Sequence, residues 1–141
     1  MKNKYIITID GINKTDGESS HISFSTEGSY ECGGDLHKIT YIDSALTGYD
    51  GDTTSLSVEG SSSVLLERTG KTSSRLFVKS GERSMSFYDV GFGCLSLGVG
   101  NAKIENRLGE KGGTLKFRYM LDVDANVLSE NEITVTVREK A

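Results

Sequence analysis

Residues 115–123 read Leu115-Lys116-Phe117-Arg118-Tyr119-Met120-Leu121-Asp122-Val123, and an apolar or aromatic side chain occupies every second position from Leu115 to Val123. Successive side chains of a β-strand point to opposite sides, so a period of two is typical of a strand with one buried face. It is the longest clean alternation in the chain, and it predicts a long amphipathic strand.

The same alternation recurs on both sides of this stretch. Tyr5, Ile7 and Ile9 share one face of a first strand, and Val135 and Val137 lie in the last. We count about ten short strands, a cadence typical of a sandwich or an up-and-down barrel. Helical spacing is nearly absent, and only residues 100–110 could hold a helical turn. The 17 glycines, with no proline, favour a barrel because glycine allows sharp bends in curved sheets.

Length, charge and composition set the broad class. The 141 residues predict one domain over 1–141. The net charge of −4 and the lack of a basic stripe argue against a nucleic-acid partner. No stretch approaches the ~18 apolar residues of a membrane span, and the apolar run near the N-terminus is too short for a signal peptide. We therefore expect a cytoplasmic protein, a monomer or a homodimer, with Cys32 and Cys94 as reduced, buried or half-buried thiols.

Signals for catalysis or for a cofactor are weak. His21 and His37 are the two histidines, and we expect both at the surface or at a strand edge. Neither has zinc-ligand spacing with a cysteine, and no phosphate-binding or dinucleotide motif is complete. The sequence therefore predicts no metal and no cofactor, and it does not favour an enzyme.

Polar residues in phase with apolar ones mark a candidate site inside the barrel. Arg68 continues an apolar face of its strand, Tyr119 lies within another, and Tyr41 and Asp43 follow a third. A buried arginine needs a carboxylate or an anionic ligand, since an isolated buried charge is costly. Asp43 or Glu27 could supply the carboxylate. Two interpretations stay open: a structural ion pair or a rim arginine, and an anchor for the acidic group of a small ligand.

A series of short motifs resembles the YwiB-like family of small bacterial proteins. The segments that carry the resemblance are 27–30, 40–44, 47–51, 54–56, 64–70, 113–121 and 129–131. The chain departs from the family at residues 89–93, where family members tend to carry a Thr-Pro-Tyr-Gly turn. The resemblance implies a calycin-like barrel, related in shape to lipocalins, and it implies no activity because fold does not determine function.

Two functions follow as hypotheses. The first is a non-enzymatic module that holds a small apolar or amphipathic, acidic ligand in the barrel lumen, with Arg68 and Tyr119 as polar contacts. The second is a structural or regulatory module that binds another protein through an exposed strand edge or an outer face.

Overall fold

A computed structural model describes residues 5–43, 51–70, 73–89, 94–123 and 126–140, with the backbone alone at positions 88, 89 and 94. The segments 47–50 and 90–93, which the motif comparison singled out, lie outside these residues. The described chain forms ten strands: β1 (Tyr5–Thr15), β2 (Glu18–Gly33), β3 (Leu36–Ile42), β4 (Thr53–Glu59), β5 (Ser63–Thr69), β6 (Ser74–Lys79), β7 (Ser84–Asp89), β8 (Cys94–Gly109), β9 (Gly112–Val123) and β10 (Asn126–Glu139).

Each strand pairs antiparallel with its neighbours in sequence, and β1 closes the barrel against β10. The predicted all-β, up-and-down barrel is therefore confirmed. The one region that could hold a helical turn, residues 100–110, is strand β8 up to Gly109. Its pairing with β9 shifts between Gly100 and Lys103, and Asn101 has a positive φ of 49°. This bulge interrupts the alternation of side chains, which is why the segment lacked a clear strand pattern.

The two long strands β2 and β8 each pass from one pairing partner to the next at a glycine, which we call the corner of the strand. Gly28 of β2 pairs with Tyr5 on one side and with Tyr41 on the other. Gly98 of β8 pairs with Met85 and with Asp122 in the same way. A Cβ atom on Gly28 would lie 2.4 Å from a backbone oxygen of β3, so the close approach of β3 at this corner requires glycine.

The inward-facing side chains of the strands fill the interior of the barrel, as the alternation of apolar residues predicted. Phe117, Leu115, Ile7 and Ile39 are fully buried, and they pack in one cluster with the other buried apolar residues. Burying each of these side chains contributes about 1.5–3 kcal/mol. The centre of the barrel is thus a packed hydrophobic core.

The two ends of the barrel differ. One end, which we call the tight-turn end, holds the connections 34–35, 60–62, 80–83 and 110–111. Backbone hydrogen bonds tie these turns together, from Gly60 N to Asp35 O at 2.8 Å and from Ser80 N to Ser62 O at 2.9 Å. At the opposite end, which we call the long-loop end, β3 and β5 finish and β4 and β6 begin. The candidate polar residues lie toward one or the other of these ends.

Candidate functional site

Arg68 and Asp43 meet at the long-loop end, on the inner faces of β5 and at the end of β3. Arg68 Nε donates to Asp43 Oδ2 at 3.1 Å, and the Thr54 hydroxyl donates to the same oxygen. The Asp43 side chain is completely buried and the Arg68 side chain is 17% exposed. Asp43 is therefore the partner that Arg68 requires. Arg68 thus takes part in an ion pair, as the first of the two interpretations expects, and its role as an anchor for an acidic ligand stays a prediction.

Tyr41 lies next to this pair and faces the interior. Its ring contacts Phe24 edge-on, with 6.2 Å between the ring centroids. Burial, reinforced by the Asp43 carboxylate, raises the pKa of Tyr41 above its ordinary value of about 10. The phenol is thus a neutral member of the polar cluster.

The other two predicted site residues make the following contacts. Tyr119 is buried in β9 and stacks on Phe117, with 6.1 Å between the ring centroids. Glu27 does not face the lumen: it is exposed, and Lys140 Nζ donates to its Oε2 at 2.8 Å. The strand period explains this correction, because Gly28 and Tyr30 of β2 point inward and Glu27 therefore points out.

At the tight-turn end, Tyr30 and His37 form a buried pair across the β2–β3 hairpin. The expectation of a surface histidine at position 37 is wrong, since His37 is only 7% exposed. Tyr30 Oη lies 2.6 Å from Gly109 O and 3.0 Å from His37 Nδ1. Burial, with a contribution from the neighbouring Cys32 thiol, raises the pKa of Tyr30 above its ordinary value, so the hydroxyl keeps its proton.

These contacts fix the tautomer of His37. Gly109 O can only accept, so the single Tyr30 proton is donated to it. His37 Nδ1 must then carry hydrogen and donate to Tyr30 Oη, so in the neutral imidazole Nε2 is an acceptor. No fully buried side-chain nitrogen or oxygen of the described residues lacks a hydrogen bond, and Nε2 has no hydrogen-bond partner among those residues. Nε2 is therefore the edge of His37 that reaches solvent.

His37 and Cys32 line two adjoining hollows at this end. The rim groove, of about 590 Å³, is also lined by Leu36, Leu65 and Phe77 on the outer faces of β3, β5 and β6. The mouth cavity, of about 330 Å³, lies among the tight turns. Cys32 is an exposed free thiol, so the expectation of a buried or half-buried residue is wrong there. The side chain of Cys94 lies outside the described residues.

Two further searches concern metals and membranes. Within the ranges that the structure describes, no three His, Cys, Asp or Glu side chains come together as a metal site. None of these ranges forms a helix that is long and apolar enough to cross a membrane.

Comparison with known proteins gives one family and one fold. The model of a family described as a domain of unknown function, DUF1934, matches residues 7–135. The crystal structure of the ywiB protein from Bacillus subtilis is similar, with a TM-score of 0.81 and 20% sequence identity. The alignment covers 99% of this chain and 93% of that one. At this identity the likeness concerns the fold alone. A search of curated proteins gave no match.

Proposed function

The chain belongs to the DUF1934 family, which confirms the resemblance seen in its motifs, and on this premise we propose that it is a non-enzymatic module that binds a small apolar or amphipathic molecule. The site is the rim groove, and the observation that carries the proposal is its apolar floor. Leu36 is 59% exposed there, and Leu65 and Phe77, which pair across β5 and β6 on the far side of β4, are partly exposed. The volume is within the range of small-molecule sites, about 300–1,000 Å³. We place this activity in the cytoplasm, as expected from the sequence.

The groove is a better site than the centre of the lumen that we expected from the sequence. Fully buried side chains such as Phe117 and Leu56 occupy that centre. The rim groove, by contrast, leaves apolar side chains in contact with water, and covering them is favourable. The ligand of this proposal therefore lies at the end of the barrel, against the outer faces of β3, β4, β5 and β6.

An open groove covers only part of a bound tail. If half of the seven methylenes of an octyl chain leave water, at about 0.8 kcal/mol each, the gain is about 3 kcal/mol. With a modest contribution from the head group, the dissociation constant is on the order of 0.1–1 mM. The groove is lined by one ammonium, that of Lys38, and by the carboxylates of Glu31 and Glu59. The sequence predicted a ligand with an acidic head group because Arg68 could anchor one. In the rim groove, such a head group would have to bind at Lys38.

A matched pair of variants on β3 tests the site. Leu36 and Ile42 both point outward and are 59% and 56% exposed, but only Leu36 lines the groove. We expect Leu36→Glu to weaken binding of the neutral fluorescent probe N-phenylnaphthylamine at least about fivefold, because a carboxylate replaces apolar contact area. Ile42→Glu should leave the affinity unchanged. Equal effects of the two variants, or no saturable binding to the wild type, would contradict the proposal.

A second candidate function rests on the outer face of β7. Met85 and Phe87 point outward and are 40% and 44% exposed. Exposed apolar side chains on one face support binding to an apolar surface of another protein, which is the alternative expected from the sequence. Light scattering after gel filtration tests the simplest case, a second copy of this chain. A dimer that Phe87→Ser dissociates would favour this function, and a strict monomer at high concentration would count against self-association.

A further inference from the structure

We propose that the mouth cavity receives the ammonium group of an amphipathic amine whose apolar tail lies in the rim groove. This inference rests on the proposed function and names the class of ligand. It follows from three features of the tight-turn end: the orientation of a buried imidazole, the charges that line the cavity, and the continuity of the two hollows.

The first feature is an acceptor inside the cavity. His37 is more than nine-tenths buried, and its Nδ1–H is engaged by Tyr30. His37 lines the mouth cavity, and the proposal places the lone pair of its remaining ring nitrogen, Nε2, in that cavity. In this tautomer it can accept a hydrogen bond and cannot donate one. A ligand group that pairs with it must therefore be a donor.

The second feature is the sign of the surrounding charge. Asp35 and Glu110 line the cavity, and no lysine or arginine does so among the described residues. Neither carboxylate forms an ion pair within those residues. The one lining amide is already used, because Asn106 Nδ2 donates to Gly60 O at 2.7 Å and Asn106 Oδ1 accepts from Leu108 N at 2.9 Å. Apart from the Ser61 hydroxyl and the Cys32 thiol, which can also donate, the free side chains at the cavity are thus acceptors, and two of them are negative.

An ammonium group fits this lining better than the alternatives. It carries a positive charge and three donors, so it can bond Nε2 and remain close to the carboxylates. A hydroxyl offers one donor and no charge, and a carboxylate would face like charges. Cys32 and His37 line both hollows, so one molecule can place its head in the mouth cavity and its tail against Leu36 in the rim groove.

Calorimetric titration with octylammonium, octanol and octanoate separates the head group from the tail. The titrations are run at about 0.15 M salt, which screens attraction to the net charge of the chain. We expect octylammonium to bind about fivefold tighter than octanol, and octanoate to bind weakest. Equal affinities would overturn this inference and keep the proposed function. Tighter binding of octanoate would also overturn it, and no saturable binding by any of the three would remove both.

Two double variants show whether the preference arises in the mouth cavity. Asp35→Asn with Glu110→Gln should weaken octylammonium about fivefold and leave octanol unchanged. The control, Glu105→Gln with Glu139→Gln, removes two exposed carboxylates elsewhere and should change neither affinity. If both pairs weaken octylammonium equally, the preference reflects overall charge and the inference fails. If neither weakens it, the ammonium binds elsewhere and the inference fails as well.

The nitrogen-15 shifts of His37 test the acceptor without any substitution. The free protein should show the Nδ1-protonated tautomer, and octylammonium should move the Nε2 resonance while His21, which is exposed, stays constant. A hydrogen on Nε2 in the free protein, or an Nε2 resonance that octylammonium does not move, would overturn the role given to His37.

Discussion

Replacement of Arg68 by methionine tests whether the Arg68–Asp43 ion pair stabilises the long-loop end of the barrel. The change removes the guanidinium and keeps a chain of similar shape. The Asp43 carboxylate stays completely buried and loses the 3.1 Å hydrogen bond from Arg68 Nε, while the Thr54 hydroxyl still donates to it. Breaking a buried ion pair by removing one partner costs about 3–5 kcal/mol. We expect the lower part of this range, because Arg68 itself is 17% exposed.

The assay is urea unfolding followed by circular dichroism, with Arg75→Met as the matched control. Arg75 Nε also lies near a carboxylate, 3.3 Å from Glu67 Oε2, but these side chains are 63% and 39% exposed. Exposed pairs contribute about 0–1 kcal/mol. In a chain of this size a loss of about 3 kcal/mol lowers Tm by about 10 °C, so the two variants should separate clearly in both measurements.

Two outcomes would refute the reasoning. The first is a loss for Arg68→Met no larger than that for Arg75→Met. The second concerns the double variant Arg68→Met with Asp43→Leu, which removes both charges. It should be more stable than Arg68→Met alone, because no buried charge is left without its counter-ion. A double variant whose loss equals the sum of the two single losses would show that the two residues do not interact.

Two further predictions concern the corner of β2 and the buried phenols. Gly28→Ala should lower the free energy of unfolding by about 2 kcal/mol or more, because its Cβ would lie 2.4 Å from Thr40 O. The control is Gly33→Ala, whose Cβ would meet no atom within 4 Å. Equal urea midpoints for the two variants would contradict this prediction. Burial raises the pKa values of Tyr30 and Tyr41, so both phenols should stay neutral in the folded protein above about pH 10. The unfolded chain releases these protons above about pH 10, and the free energy of unfolding therefore falls as the pH rises further. Phenolate absorbance that shows every tyrosine ionising near pH 10 in the folded protein would contradict it.

The strands could be predicted because each one buries a single face. Alternation of apolar residues placed Ile7, Phe117 and Val135 inside a barrel, and all three are fully buried. The strand within residues 100–110 could not be predicted in this way, because the bulge in β8 shifts the alternation. A bulge is set by pairing with the neighbouring strand, and a period within one strand cannot reveal it.

The polar cluster of the long-loop end could also be predicted from the alternation of inward and outward positions along each strand. Arg68 and Asp43 each continue an apolar face, and both do face the interior. Glu27 was expected there because a carboxylate was needed, although its position is out of phase with Tyr30 on the same strand. The alternation of side chains along the strand gives the correct prediction, which is that Glu27 faces the outside of the barrel.

The tight-turn end was missed because its residues meet only when β2 and β3 pair. Tyr30 and His37 lie on opposite strands of a hairpin, and each alone looks like an ordinary core or surface residue. The Gly33-Gly34 pair was a usable signal for a hairpin but not for its register: the turn is Gly34-Asp35, which sets Cys32 opposite His37, whereas a turn made of Gly33-Gly34 would set Cys32 opposite Asp35. The contact of Tyr30 with Gly109 joins strands far apart in sequence, and no local pattern predicts it.

Amide chemical-shift mapping during a titration with octylammonium tests most directly where a small amphipathic ligand binds. We predict saturable shifts concentrated at Glu31–His37, Leu65 and Phe77, with the amides of Tyr41 and Tyr119 unchanged. Shifts concentrated at Tyr41 and Tyr119 would place the ligand in the lumen and contradict the rim groove. A spectrum that does not change at millimolar octylammonium would contradict ligand binding by this end of the barrel.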